Sequence, residues 1–143
     1  MIDRDVLEHS KLRILLIESY AFQLYDTQTL LYDLGCHYLT PVMTSEDLAR
    51  VLANATQAFD VAICSVGTFD MSDLELAELV YATHKVKHLI LLSDGEVVPP
   101  ALLARQVRRT PRPLLGILQK PLARESMLEM FARVLGQAGL CQA

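Results

Sequence analysis

Glu18, Ser19, Ser65, Ser93 and Lys120 stand at or just beyond the carboxyl ends of short apolar runs, and their side chains could do chemistry together. The runs are Leu12–Ile17, Val61–Cys64, Leu89–Leu92 and Leu114–Leu118. Two chemistries are open to such a set: attack by a hydroxyl, or the holding of a cation by a carboxylate. A serine hydroxyl is a weak nucleophile unless a nearby base takes its proton. None of His9, His37, His84 or His88 falls at a run end that would face Ser65. Ser65 is therefore expected to fill space and hydrogen-bond locally, with Lys120 pairing to Glu18 so that no buried charge is left alone.

The elements that must position these residues follow from the periodicity. The four runs are too short for helices and show little polar alternation, as expected of parallel strands buried on both faces. A weaker fifth strand, His37–Val42, contains Pro41, which cannot donate to a ladder and so belongs at a sheet edge. Between the runs lie helical patterns. Ala21–Leu34 ends at Gly35 and brings Leu24, Leu31 and Leu34 to one face. Thr44 with Asp47, and Ser72 with Glu75, read as capping pairs ahead of the next two helices. Pro99 and Pro100 open a helix through Arg109, and Leu128, Phe131, Ala132 and Leu135 mark the last. Met1–Lys11 forms a short extra helix using Ile2, Val6 and Leu7. Five β-α alternations predict an α/β fold, a doubly wound five-stranded parallel sheet with helices on both faces. Its functional groups belong at the carboxyl ends of the strands.

With 143 residues the chain fits a single domain spanning 12–136, between an extension at 1–11 and a tail at 137–143. Its composition, 52% hydrophobic and 21% charged, is too apolar for disorder, and no apolar run is long enough to span a bilayer. The first eleven residues carry acids and no apolar core, so no secretory signal is read there and a cytoplasmic location is expected. Cys36, Cys64 and Cys141 are widely spaced and without a CxxC pair, which suggests neither a disulfide framework nor a zinc site. Net charge is −4, yet Arg105, Arg108, Arg109, Arg112, Lys120 and Arg124 lie in a stretch without an acid. Faces of opposite sign are expected.

Glu18-Ser19 after the first strand, Ser65 after the third, Ser93 after the fourth and Lys120-Pro121 after the fifth resemble the signature positions of response-regulator receiver domains. The resemblance covers Leu12 to Leu135. It implies a flavodoxin-like sheet of order 2-1-3-4-5. It also implies that Ser65 occupies the place of the phosphoacceptor aspartate and Ser19 that of a metal-holding acid. Phe69 stands at the loop proline, and Ile117 at the aromatic switch position. Glu18–Leu24 and Leu115–Pro121 look most like receivers fused ahead of EAL-type cyclic-di-GMP phosphodiesterase domains. A first turn of Glu18 to Gln23 without glycine disfavours a nucleotide-binding relative of the same topology.

Phosphotransfer in that family needs a carboxylate nucleophile and Mg²⁺, which prefers oxygen ligands including one or two carboxylates. With Glu18 as the lone acid, the resemblance implies neither acyl phosphate nor bound metal, and no cofactor. What remains is surface. The fourth helix, fifth strand and fifth helix of receivers form the face that meets partners, and here it would carry Arg105, Arg108, Arg109 and Arg112. The expectation is a pseudo-receiver, not an enzyme, that docks a protein partner or a second copy independently of phosphorylation. Two alternatives stand beside it: a regulatory piece of a larger cyclic-di-GMP or transcriptional signalling protein, and a nucleic-acid or nucleotide contact through the same arginines. The second is disfavoured by the acidic balance and the lack of a nucleic-acid-binding motif.

Overall fold

A computed structural model of the chain describes residues 4–67, 69, 72–93 and 114–137. In chain order these form α1 (Arg4–Ser10), β1 (Arg13–Ile17), α2 (Ala21–Asp33), β2 (Tyr38–Val42) and α3 (Ser45–Asn54). They continue as β3 (Phe59–Ser65), α4 (Asp73–Ala82), β4 (Val86–Ser93), β5 (Leu114–Gln119) and α5 (Arg124–Gln137). All four strand pairings are parallel and the sheet runs β2-β1-β3-β4-β5, with β2 and its Pro41 at one edge.

The two-residue period of each strand divides the core into two layers. Ile14, Leu16, Val61, Ile63, Ile90 and Leu92 point to one face, where α1, α2 and α5 contribute Leu7, Leu24, Leu31, Met127 and Phe131. Leu15, Ile17, Ala62, Cys64, Leu89 and Leu91 point to the other, against Leu48 and Leu52 of α3 and Leu76 and Val80 of α4. Full burial of such side chains contributes about 1.5–3 kcal/mol each. Helices on both faces are therefore required to cover β1 and β3, which are apolar on both sides.

Helix ends follow local chemistry. Thr44 accepts a hydrogen bond from the Asp47 backbone N–H at 3.1 Å, and Ser72 accepts one from Glu75 N–H at 3.1 Å. The Asp47 carboxylate turns to Arg50. Gly35 closes α2 in the left-handed region, φ +102°, with its N–H on Tyr32 O and the following Cys36 N–H on Leu31 O.

Two expectations change. In α1 only Leu7 enters the core, whereas Val6 is exposed and Ile2 lies outside the described residues. β3 and β4 begin two and three residues earlier than the apolar runs. Polar residues can join the sheet there because Asp60 accepts from Arg13 N–H at 2.8 Å and lies 3.5 Å from Lys87 Nζ. The expected helix at Pro99–Arg109, its arginines and residues 138–143 lie outside the described residues.

Cys36 and Cys64 are buried and unbridged. Burial pushes the Cys36 thiol up to about 12, and the thiolate is the reactive form. Alkylation of Cys36 by iodoacetamide at about pH 8 is expected only after denaturation, followed by peptide mass spectrometry. Rapid labelling of the native chain at Cys36 would contradict its burial.

Candidate functional site

The carboxyl ends of β1, β3, β4 and β5 bring together the polar residues that the sequence singles out. Glu18 follows β1 directly, Ser65 and Ser93 close β3 and β4, and all three are buried. Lys120 follows β5, positioned by its backbone N–H on Ser93 O at 2.8 Å and joined to Pro121 by a cis peptide. Beyond Ser65 the chain stays in register through Val66 N–H on Leu92 O, 2.8 Å, before Gly67 turns at φ +71°.

Glu18 is the hub. Its Oε1 accepts from Ser65 Oγ at 2.6 Å and from Lys120 Nζ at 3.1 Å, while Oε2 accepts the Tyr20 backbone N–H at 3.2 Å. Its own backbone N–H donates to Val42 O at 3.0 Å, so the edge strand helps to fix it. Lys120 keeps 24% of its side-chain surface exposed and also donates to Gln23 Oε1 on α2. Gln23, with Asp26, Leu30, Leu92 and Leu122, lines a hollow of about 460 Å³ that opens beside Lys120. Sequence reasoning missed Gln23 and the Tyr20 N–H: an exposed helical glutamine and a backbone group carry no pattern that marks them. Glu18 as the direct acceptor of the Ser65 proton is a further addition.

Phe69 and Ile117 are both partly buried against the core layer shared with α3 and α4. Ser19 is half-buried beside Glu18. Arg105, Arg108, Arg109 and Arg112 lie outside the described residues.

No protein-family model matches the sequence, and no curated protein does. Solved structures do match. The N-terminal domain of a response regulator/sensory box/GGDEF three-domain protein from Carboxydothermus hydrogenoformans superposes with a TM-score of 0.72. The match covers 89% of this chain and 96% of that one at 14% identity. A response regulator receiver domain protein from Clostridium thermocellum gives 0.72, with 90% and 98% covered at 18% identity. The chemotaxis response regulator CheY4 of Vibrio cholerae gives 0.68, with 87% and 98% covered at 21% identity. The chain has the fold of a response-regulator receiver domain.

Within this receiver fold the pocket offers a poor donor set for Mg²⁺, a hard ion that seeks near-octahedral oxygen and commonly more than one carboxylate. Among the described residues of the cluster Glu18 alone supplies carboxylate oxygens, and both already accept from protein donors. Among the described residues no group of three or more His, Cys, Asp or Glu could hold a metal ion. Nor is any described helix long and apolar enough to cross a membrane.

Proposed function

We propose that this chain is a receiver-like signalling module that works by binding a protein partner or a second copy of itself, without acyl-phosphate chemistry. The observation that carries the reading is the hydrogen bond from Ser65 Oγ to Glu18, 2.6 Å, at the carboxyl end of β3. A hydroxyl cannot form an acyl phosphate, and this one spends its proton on the carboxylate that a receiver would use for metal. Lys120 balances Glu18 directly, so the pocket is a closed charge pair. With Phe69 at the loop proline position and Ile117 at the aromatic one, acceptor, metal site and relay are altered together. Partner binding is then assigned to the arginine-rich segment of the sequence, where Arg105, Arg108, Arg109 and Arg112 supply positive charge on a chain of net −4. The module is read as non-enzymatic and cytoplasmic. A place as the regulatory part of a larger signalling protein is favoured by one neighbour, described as the N-terminal domain of a three-domain protein.

Incubation with acetyl phosphate and Mg²⁺, followed by intact-mass measurement, is expected to leave the mass unchanged. An acid-stable adduct that disappears in Ser65→Ala would instead make Ser65 a serine acceptor with Glu18 as its base, and would overturn the proposal. So would a hydroxylamine-labile adduct on any carboxylate. Separately, the Arg105→Glu, Arg108→Glu chain is expected to lose self-association in sedimentation or capture of an acidic partner. Unchanged binding would remove the arginine face from the reading.

A further inference from the structure

The opposite end of the sheet holds a second concentration of function-bearing side chains that the receiver pocket does not use. A groove of about 600 Å³ opens at the amino ends of β1, β2 and β3, within the range of small-molecule sites. Among the described residues Lys11 and Arg13 line it, and no carboxylate does. Among the described residues Lys11 has neither an ion pair nor a hydrogen bond through its ammonium, and it is exposed. Arg13 is half-buried, yet its guanidinium meets a neutral partner, Gln57 Oε1, at 2.6 Å, and lies 5.2 Å from the centroid of Phe59. Two neighbouring acids are otherwise engaged: Asp60 accepts the Arg13 backbone N–H and faces Lys87, and Glu8 faces Arg4 and His37. Among the described residues two cations are thus left without counter-ions on a chain of net −4, beside aromatic walls.

Tyr38 supplies one wall and is 53% exposed, while His37 is braced by stacking on Tyr32, centroids 5.6 Å apart. An exposed ring beside a held guanidinium offers stacking and charge-assisted hydrogen bonding at once. Phe59 and Gln57 hold the Arg13 fork in place before any ligand arrives, which lowers the ordering cost of binding. Thr40 adds a hydroxyl.

We infer that this groove binds a small anion carrying a flat ring, of the class of a nucleoside monophosphate, with Lys11 and Arg13 on the anion and Tyr38 against the ring. The site is built from side chains and lies at the far end of the strands from Glu18, so it stands independently of the function proposed above.

Calorimetry and amide NMR on the full chain test it with four probes: adenosine 5′-monophosphate, uridine 5′-monophosphate, adenosine and inorganic phosphate. At least one nucleotide is expected to saturate and to move the amide signals of Lys11, Arg13, Tyr38 and Thr40. Adenosine and phosphate alone should bind about tenfold or more weakly. Affinity should fall as salt rises, since the contacts are ionic and partly exposed. Lys11→Gln, at an exposed position, leaves the fold intact and should weaken binding about 3–10-fold, as should Arg13→Gln. The inference is overturned if neither nucleotide binds below about 5 mM. It also fails if the shifts map elsewhere, if phosphate binds as well as the nucleotides, or if the Lys11→Gln, Arg13→Gln chain binds unchanged.

Discussion

Replacing Glu18 with alanine is expected to lower stability by about 2–4 kcal/mol, seen as a fall in the urea midpoint. The loss comes from what the carboxylate leaves behind. The Ser65 hydroxyl is buried and would lose the acceptor now 2.6 Å away, and Lys120 would lose its only carboxylate partner among the described residues. Breaking a buried pair on one side can cost 3–5 kcal/mol, and the figure here is lower because Lys120 retains 24% side-chain exposure and keeps Gln23. Replacing both charges, as in Glu18→Leu with Lys120→Met, is expected to recover most of the loss, since apolar residues of similar volume can replace an ion pair at little cost. If the double replacement instead loses the sum of the two single ones, the pair is not coupled and Glu18 is not the hub described.

Gly35→Ala is expected to cost about 2–3 kcal/mol, measured as the change in unfolding free energy. Two separate penalties meet there. The backbone sits at φ +102°, which L side chains rarely adopt, and an added Cβ would lie 2.7 Å from the backbone oxygen of Arg4. That oxygen can yield only if α1 moves, and Leu7 ties α1 to the core. Gly116→Ala makes the informative contrast. Its Cβ would meet the Met130 terminal methyl, but a flexible thioether end can swing aside, so a cost below about 1.5 kcal/mol is expected. Equal losses at the two glycines would mean that backbone conformation and rigid contact are not what distinguishes them.

The layered sheet was readable because burial on both faces leaves runs of Val, Ile and Leu, and because a strand that ends at a pocket ends in a polar residue. Glu18, Ser65, Ser93 and Lys120 stood out for that reason. Caps were readable because Thr44 and Ser72 act on their own backbone within one turn. Long-range pairings were harder. Asp60, Lys87 and His88 interrupt the apolar pattern, so the amino ends of β3 and β4 were invisible without knowing that Arg13 N–H and Lys87 converge on Asp60. The contact of Gln23 with Lys120, 97 positions away, depends on how α2 packs against the segment after β5, and no local signal encodes it. Val6 illustrates the converse: an apolar residue in a short helix can face water when one neighbour, Leu7, suffices to anchor it.

Pro41 has a consequence for assembly. A terminal strand is a ready template on which another chain can continue the ladder, the route to domain exchange and fibrils. β2 is only five residues long and one of them has no N–H to offer, so that template is short and incomplete. A copy approaching from this side finds too few donors to stitch itself on through main chain. Recognition there must be made by side chains, which can be selective where a bare backbone edge cannot.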